Sequence, residues 1–493
     1  MFGEPTLTIG ETLGLLAPEL LLLITALSIL GVEAFLPHDE ERRWIPRATL
    51  TGLALALIAT MALWNNTAPV LAVLSCDPFA LTIKAIMLIA AGLVVLTADV
   101  YIRNHTQRQG EFYALLLLAI LTICLLSGTT DLVMLFVTFE FLNILSYILT
   151  GYLWEDKRST EAAIKYFLYG TVLSAVMLYG MSWFYGLTGA TDLHGIARAL
   201  TGQESALRPV VLPALILTVA GLAFKIGGVP FHQWAPDTYE GAPTPVAAFL
   251  SVGPQIGGFA IILRVLLTVL PFGTSTTELA IDWATLLITI SVLTMTLGNL
   301  VALWQENIKR LLAYSSIAQA GYVLVGVVAT SPLGVAAVLF YLIAYALANL
   351  GIFAAIIAFS NQTGSDQIED YAGLHRRAPG LAMIMIICLL SLTGLPPTGG
   401  FFAKLWLFSA AYDAGLLWLA VLGVVNSVIS LSCYWKIIHA MYLLPAETEE
   451  RLSTSPMLAV ALGVTVVGVL VVGIFSGPLL SLLQTAAPTF FGG

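Results

Sequence analysis

Apolar stretches long enough to cross a bilayer recur from one end of this chain to the other, separated by short polar breaks. They fall at residues 13–35, 48–64, 78–102, 112–126, 131–152, 162–187, 209–230, 244–270, 283–304, 311–330, 333–359, 379–412, 416–442 and 456–480. A hydrocarbon core about 30 Å thick needs roughly 20 apolar residues to span it as a helix. Lipid offers the backbone no hydrogen-bond partners, so each stretch must close its bonds within itself. The predicted fold is therefore all-α and polytopic, with about fourteen transmembrane helices. Composition agrees, since 59% of residues are hydrophobic and 10% are charged, against roughly 25% charged in soluble domains. The longest polar connection, 188–208, is too short to be a soluble domain. No GxGxxG run follows a strand and no GxxxxGK[ST] loop occurs, so no nucleotide site is expected. Cys76, Cys124, Cys388 and Cys433 are scattered singly, with no CxxC pair, and are read as small apolar filler. No metal site is expected. The stretch "MFGEPTLTIGE" has no basic region, so no cleavable signal is expected.

Topology follows from basic residues in the loops rather than from the net charge of −9. Loops after odd-numbered spans carry Arg42, Arg43, Arg47, Arg103, Arg108, Lys157, Arg158, Lys309, Arg310, Arg376, Arg377 and Arg451. Those after even-numbered spans carry Arg198 and Arg208. The positive-inside rule places the odd loops in the cytoplasm and both termini outside.

An ionisable side chain at mid-bilayer costs about 2.5–3.5 kcal/mol, so each one asks for a reason. Glu140 sits in the middle of "LVMLFVTFEFLNILSYIL", the fifth span. Lys225 ends an apolar run and is followed by "IGGVPFHQW". The twelfth stretch is too long for one straight span and is interrupted by "GLPPTGG" before Lys404. Glycine and proline leave backbone groups unpaired, which a membrane tolerates only beside protein or a hydrated cavity. Two broken helices, five spans apart, would run in opposite directions, as in an inverted repeat. A desolvated lysine favours its neutral amine and a nearby carboxylate favours its ammonium. A glutamate moving relative to Lys225 would thus load or unload a proton. Lys165, one turn inside the sixth span, is open to either a functional or a structural reading. His232 either titrates in the same cavity or packs at the cytoplasmic rim. Lys84, Asp99, Arg264 and Lys436 lie near span ends and are read as ordinary anchors.

The runs "FKIGGVPFHQWAPDTYEGAPTPVAAFLS", "EAAIKYFLYG", "NIKRLLAYSSIAQAGYVLVG" and "LTGLPPTGGFFAKLWLF" resemble the antiporter-like, proton-conducting membrane subunits of respiratory complex I, a family related to Mrp cation/proton antiporters. The resemblance covers nearly the whole chain, and the VPFHxWxPDxYEGAPTP run is highly specific. It implies an N-terminal three-helix segment (1–110), two inverted five-helix repeats (111–272 and 273–443) and a fourteenth helix (444–493), with the seventh and twelfth helices discontinuous. It implies a proton relay of Glu140, Lys225 and Lys404. The family usually has a lysine where this chain has Gln255, and often a histidine near Gln319. An amide holds a hydrogen-bonded chain but carries no proton at neutral pH, so Gln255 is expected to bridge by hydrogen bonds. The resemblance further implies a subunit of an NADH–quinone oxidoreductase in a bacterial inner membrane, without redox chemistry of its own. NADH, FMN, iron–sulfur clusters and quinone would then sit on partner subunits. The partners would be other antiporter-like and small hydrophobic membrane subunits and the bilayer, not nucleic acid. A stand-alone Na⁺/H⁺ antiporter, and a structural subunit with a weakened proton path, are the competing readings.

Overall fold

The computed structural model describes residues 8–35, 42–64, 66–201, 204–269, 278–446 and 451–491. It is a bundle of membrane-length helices: α1 Ala17–Phe35, α2 Trp44–Ala62, α3 Pro78–His105, α4 Gln109–Gly128, α5 Leu132–Thr150, α6 Lys157–Thr188, α7 Glu204–Lys225, α8 Thr244–Val269, α9 Glu278–Ala302, α10 Ile308–Val328, α11 Pro332–Thr363, α12 in two halves (Pro379–Thr393 and Gly399–Asp413), α13 Leu417–Leu443 and α14 Pro456–Ile474. These match the fourteen expected spans, with ends that differ by a few residues. The first expected span is split instead, because a capped turn of helix, Ile9–Leu15, precedes α1 at Pro18. Helix starts follow local capping chemistry. Asp77 accepts from the Ala80 amide at 2.8 Å, and Asn307 accepts from Lys309 and Arg310 at 3.0 and 3.1 Å.

Two further features lie outside the expected spans. A small antiparallel hairpin, β1 Ala68–Val70 and β2 Leu74–Cys76, joins α2 to α3. It is tied to the end of α4 through a Leu74–Thr129 bridge. The connection 188–208 also contains a short amphipathic helix, Leu193–Leu200, that buries Leu193, Ile196 and Leu200 on one side.

Burial sorts the helices. α8, α10 and α11 are almost wholly enclosed by protein, whereas α1 and α6 leave most of their surface for lipid. A helix that is apolar all round belongs inside, and these three have little hydrophobic asymmetry to orient them otherwise. Polar side chains on α8, α10 and α11 therefore meet protein rather than lipid.

Candidate functional site: a buried polar axis

α7 ends at Lys225, five residues before the expected end, because Gly227 has φ +71° and Gly228 and Pro230 follow. The carbonyls this frees are capped locally. Gly228 N donates to Ala223 O at 2.7 Å, Gly227 N to Phe224 O at 3.0 Å, and the Trp234 indole to Phe224 O at 3.0 Å. Lys225 is 1% exposed. Its ammonium donates to Asn143 Oδ1 at 2.7 Å and lies 5.4 Å from the Phe139 ring. Asn143 Nδ2 in turn donates to Glu140 Oε1 at 3.0 Å and to Ser174 Oγ at 3.2 Å. Glu140 and Lys225 thus belong to one site but do not touch, because an amide stands between them. Asn143 carries no charge, so its place in an apolar span draws no notice in the sequence. Its one signal was its place one turn beyond Glu140 on the same face of α5.

Lys404 lies in the second half of α12 and is 5% exposed. It reaches back across the break to donate to Thr393 O at 2.8 Å, at the carboxyl end of the first half. A cation there meets the negative end of the helix dipole and fills an orphan carbonyl. The close approach requires a glycine at Gly394, where φ is +92° and a Cβ would fall 2.9 Å from the Lys404 chain. The face of Tyr322 lies 4.4 Å from the ammonium. Lys225 has no such carbonyl. Each lysine sits at a helix break, but Lys225 ends its half-helix whereas Lys404 caps the other half of its own.

Between them runs a row of amides and hydroxyls. Gln255 on α8 donates to Ser316 Oγ at 2.8 Å and to Ser316 O at 3.2 Å. Tyr345 on α11 also reaches Ser316 Oγ, at 2.9 Å, and Tyr239 lies 3.3 Å from it. One turn along α10, Gln319 donates to Tyr434 Oη at 3.1 Å and to Leu392 O at 3.2 Å, and accepts from Tyr341. Ser315 pairs with Tyr434 at 2.5 Å. A cavity with room for about one water separates Gln319, Tyr341 and Tyr345 from Ser391 and Gly400 at the α12 break. Both hydrogen bonds of the Gln255 amide run to Ser316.

Lys165 stands apart from this axis. Its side chain is 42% exposed and pairs with Glu161 at 2.9 Å and Asp237 at 2.8 Å. Asp237 lies on a short helix, Trp234–Gly241, that follows the α7 break, and is also bound by Arg310 at 2.6 Å. Partial burial disfavours the Asp237 charge, but hydrogen bonds from Lys165 and Arg310 outweigh it and hold the carboxyl below the ordinary range. His232 sits in the break itself, buried, with Nδ1 lacking a protein partner. Burial holds its imidazole below the ordinary histidine value, against the weaker opposing pull of the nearby Pro230 carbonyl.

The reading of Lys84 and Arg264 as ordinary anchors needs correction. Both are buried and ion-paired: Lys84 with Glu19 at 2.6 Å, Arg264 with Asp77 at 2.7 Å. Their partners lie far away in the chain, and only the folded bundle brings them together. Asp99 pairs with Arg103 one turn on at 3.2 Å, and Lys436 reaches Gln305 O at 2.8 Å. Among the described residues, no cluster of three or more His, Cys, Asp or Glu side chains is placed to hold a metal ion. The four cysteines are buried and unpaired.

Residues 129–430 match the family described as NADH:quinone oxidoreductase/Mrp antiporter, transmembrane. The chain is 40% identical over 490 residues to NAD(P)H-quinone oxidoreductase subunit 2 of Microcystis aeruginosa, across 97% of this chain and 94% of that one. It is 42% identical over 480 residues to NADH-quinone oxidoreductase subunit N of Moorella thermoacetica, across 97% and 99%. A chain of respiratory complex I from Thermus thermophilus superposes with a TM-score of 0.79 at 31% identity, across 95% and 100%. Fold, breaks and relatives agree, and the chain belongs to the NADH:quinone oxidoreductase/Mrp antiporter transmembrane family.

Proposed function

We propose that the chain translocates protons across a bacterial cell membrane as a membrane subunit of an NADH–quinone oxidoreductase, or of a relative using another donor. The single observation that carries this is the Lys225 ammonium, enclosed by protein at the end of a broken helix and joined to Glu140 through Asn143. A hydrogen bond to a charged group is worth about 1.5–3 kcal/mol. Moving one charge against 100 mV takes about 2.3 kcal/mol. Making or breaking the Lys225–Asn143 bond therefore involves enough free energy to load or release a proton against a membrane potential.

In this reading Glu140 modulates, Asn143 transmits, Lys225 stores the proton and Lys404 passes it on. Gln255 and Gln319 hold the hydroxyl row through which it moves. Residues 111–272 and 273–443 form the two inverted repeats, the Arg- and Lys-rich loops face the cytoplasm, and both termini lie outside. Redox groups and quinone belong to partner subunits. The test uses the assembled complex in sealed vesicles, with protons moved per electron as the readout. Lys404→Ala should lower that ratio while electron transfer from donor to quinone continues. Unchanged pumping by an assembled Lys404→Ala complex would remove Lys404 from the path.

The amide bridge supports a second reading, in which Gln255 ties α8 to α10 and this copy of the path conducts weakly. Gln255→Lys and Gln255→Leu separate the two. If the bridge conducts, Gln255→Lys leaves the proton ratio unchanged and Gln255→Leu lowers it. If the path is weak, Gln255→Lys raises the ratio and Gln255→Leu changes nothing.

A further inference from the structure

The helix Trp234–Gly241 is shorter than any span, yet it touches three parts of the molecule at once. At its start, the Trp234 indole caps α7 at Phe224 O, next to Lys225, and its ring stacks on Tyr166 of α6 at 4.3 Å. On its outer side, Asp237 is held by Lys165 of α6 and Arg310 of α10, and Arg310 also binds Glu240 at 2.9 Å. On its inner side, Tyr239 is buried with its hydroxyl 3.3 Å from Ser316, the residue that receives Gln255. One short helix therefore links a half-exposed ion-pair cluster to the end of α7 and to the middle of the buried row.

We infer that Asp237 is a positioning residue for proton transfer: its ion pairs to Lys165 and Arg310 seat the helix so that Tyr239 completes the hydroxyl row at Ser316. This rests on the proton-translocation reading above and goes beyond it, since Asp237 itself carries no proton across. Two pairs from different helices fix the carboxylate in two directions. Losing the Asp237 charge removes both pairs and leaves Arg310–Glu240 alone on that side, so the helix can shift and Tyr239, two residues on, moves with it. At 3.3 Å the Tyr239–Ser316 contact is already long for a hydroxyl pair, so a displacement of a few tenths of an ångström breaks it. Exposed ion pairs contribute little to stability, about 0–1 kcal/mol. The cluster is thus poorly suited to holding the fold together and well suited to setting the position of a short element.

The experiment measures protons moved per electron by the assembled complex in sealed vesicles, for Asp237→Asn, Asp237→Glu, Tyr239→Phe and the double variant Asp237→Asn/Tyr239→Phe. Asp237→Asn and Tyr239→Phe should lower this chain's share of pumping by a similar factor. The double variant should be no worse than the worse single, and Asp237→Glu should restore part of the loss. A general loss of structure would lower the amount of assembled complex and leave the ratio per complex unchanged. Should Asp237→Asn fail to assemble, Arg310→Gln in combination with Tyr239→Phe gives the same cycle from the other side of the pair. Losses that multiply, or a normal ratio in Asp237→Asn and Tyr239→Phe, would overturn the inference. Lys225→Ala measured in parallel keeps the two levels apart. If it abolishes pumping while Asp237→Asn and Tyr239→Phe pump normally, only the positioning role fails; if it too pumps normally, the translocation reading fails.

Discussion

Lys225→Ala should leave the complex assembled and electron transfer to quinone intact, while proton movement through this chain falls by about 100-fold or more. Positioned proton-transfer groups contribute roughly 10²–10⁴-fold, and the geometry gives Lys225 no neighbour able to take its place. Asn143, which accepts from its ammonium, and Ser174, which accepts from Asn143, hold protons only as amide and hydroxyl donors. Assembly should survive, because the Lys225 ammonium bonds the neutral Asn143, so its loss leaves no directly paired buried charge without a partner. The companion variant Asn143→Leu tests the same connection from the other end. It keeps Lys225 but cuts its link to Glu140, so pumping should fall while the stored proton no longer answers to the Glu140 charge. If Asn143→Leu pumps as well as the natural chain, the carboxylate acts on Lys225 through space, and the amide bridge is structural. Normal pumping by Lys225→Ala would take the storage role away from Lys225 altogether.

The parts of this arrangement that were legible in the sequence are those in which one local stretch carries the whole message. The spans show as runs of apolar residues, and the α12 break as Gly394, Pro396, Pro397, Gly399 and Gly400 together. Lys225 and Lys404 stood out because charge inside an apolar run is costly. What could not be read depends on who meets whom. Asn143 is a neutral residue in a helix and becomes notable only once Lys225 is known to reach it. Tyr341 and Tyr345 carry no signal of their own in an apolar span; their hydroxyls gain meaning from Gln319 and Ser316 on α10. Lys84 and Arg264 passed as anchors since snorkelling to an interface is the usual fate of a basic residue near a span end. Here Asp77 and Glu19, brought in by other helices, meet them first. The expected end of α7 lies too late because Ile226 and Val229 resume apolar character beyond Lys225, while the backbone turns at Gly227.

Arg264→Leu should destabilise the chain by about 3–5 kcal/mol, the cost of leaving a buried charge without its partner. The guanidinium holds Asp77 at 2.7 and 3.1 Å and the Ser127 carbonyl, the end of α4, at 2.7 Å. It also lies 5.1 Å from the Phe79 ring and 5.7 Å from Phe490 near the carboxyl end of the chain. One side chain of α8 thus joins the start of α3, the end of α4 and the last helical turn. Burial disfavours the Asp77 charge, but Arg264 outweighs it and holds the carboxyl below its ordinary range. A depressed carboxyl stabilises the fold above its unfolded value and loses that contribution only as pH falls through the folded one, so the pair is at full strength at neutral pH. Thermal unfolding of the purified complex, with the amount of chain in the membrane, measures the effect. The double variant Arg264→Met/Asp77→Asn removes both charges and should recover much of the loss, since replacing a buried pair costs less than breaking it. Equal losses in the single and double variants would mean that the pair's charges are not what matters, leaving the ring contacts and the Ser127 bond to explain the site. Whatever fraction of Arg264→Leu complex assembles should move protons at the natural ratio per electron. This separates a buried charge that holds helices together from Lys225, whose loss should leave the helices in place and stop the proton.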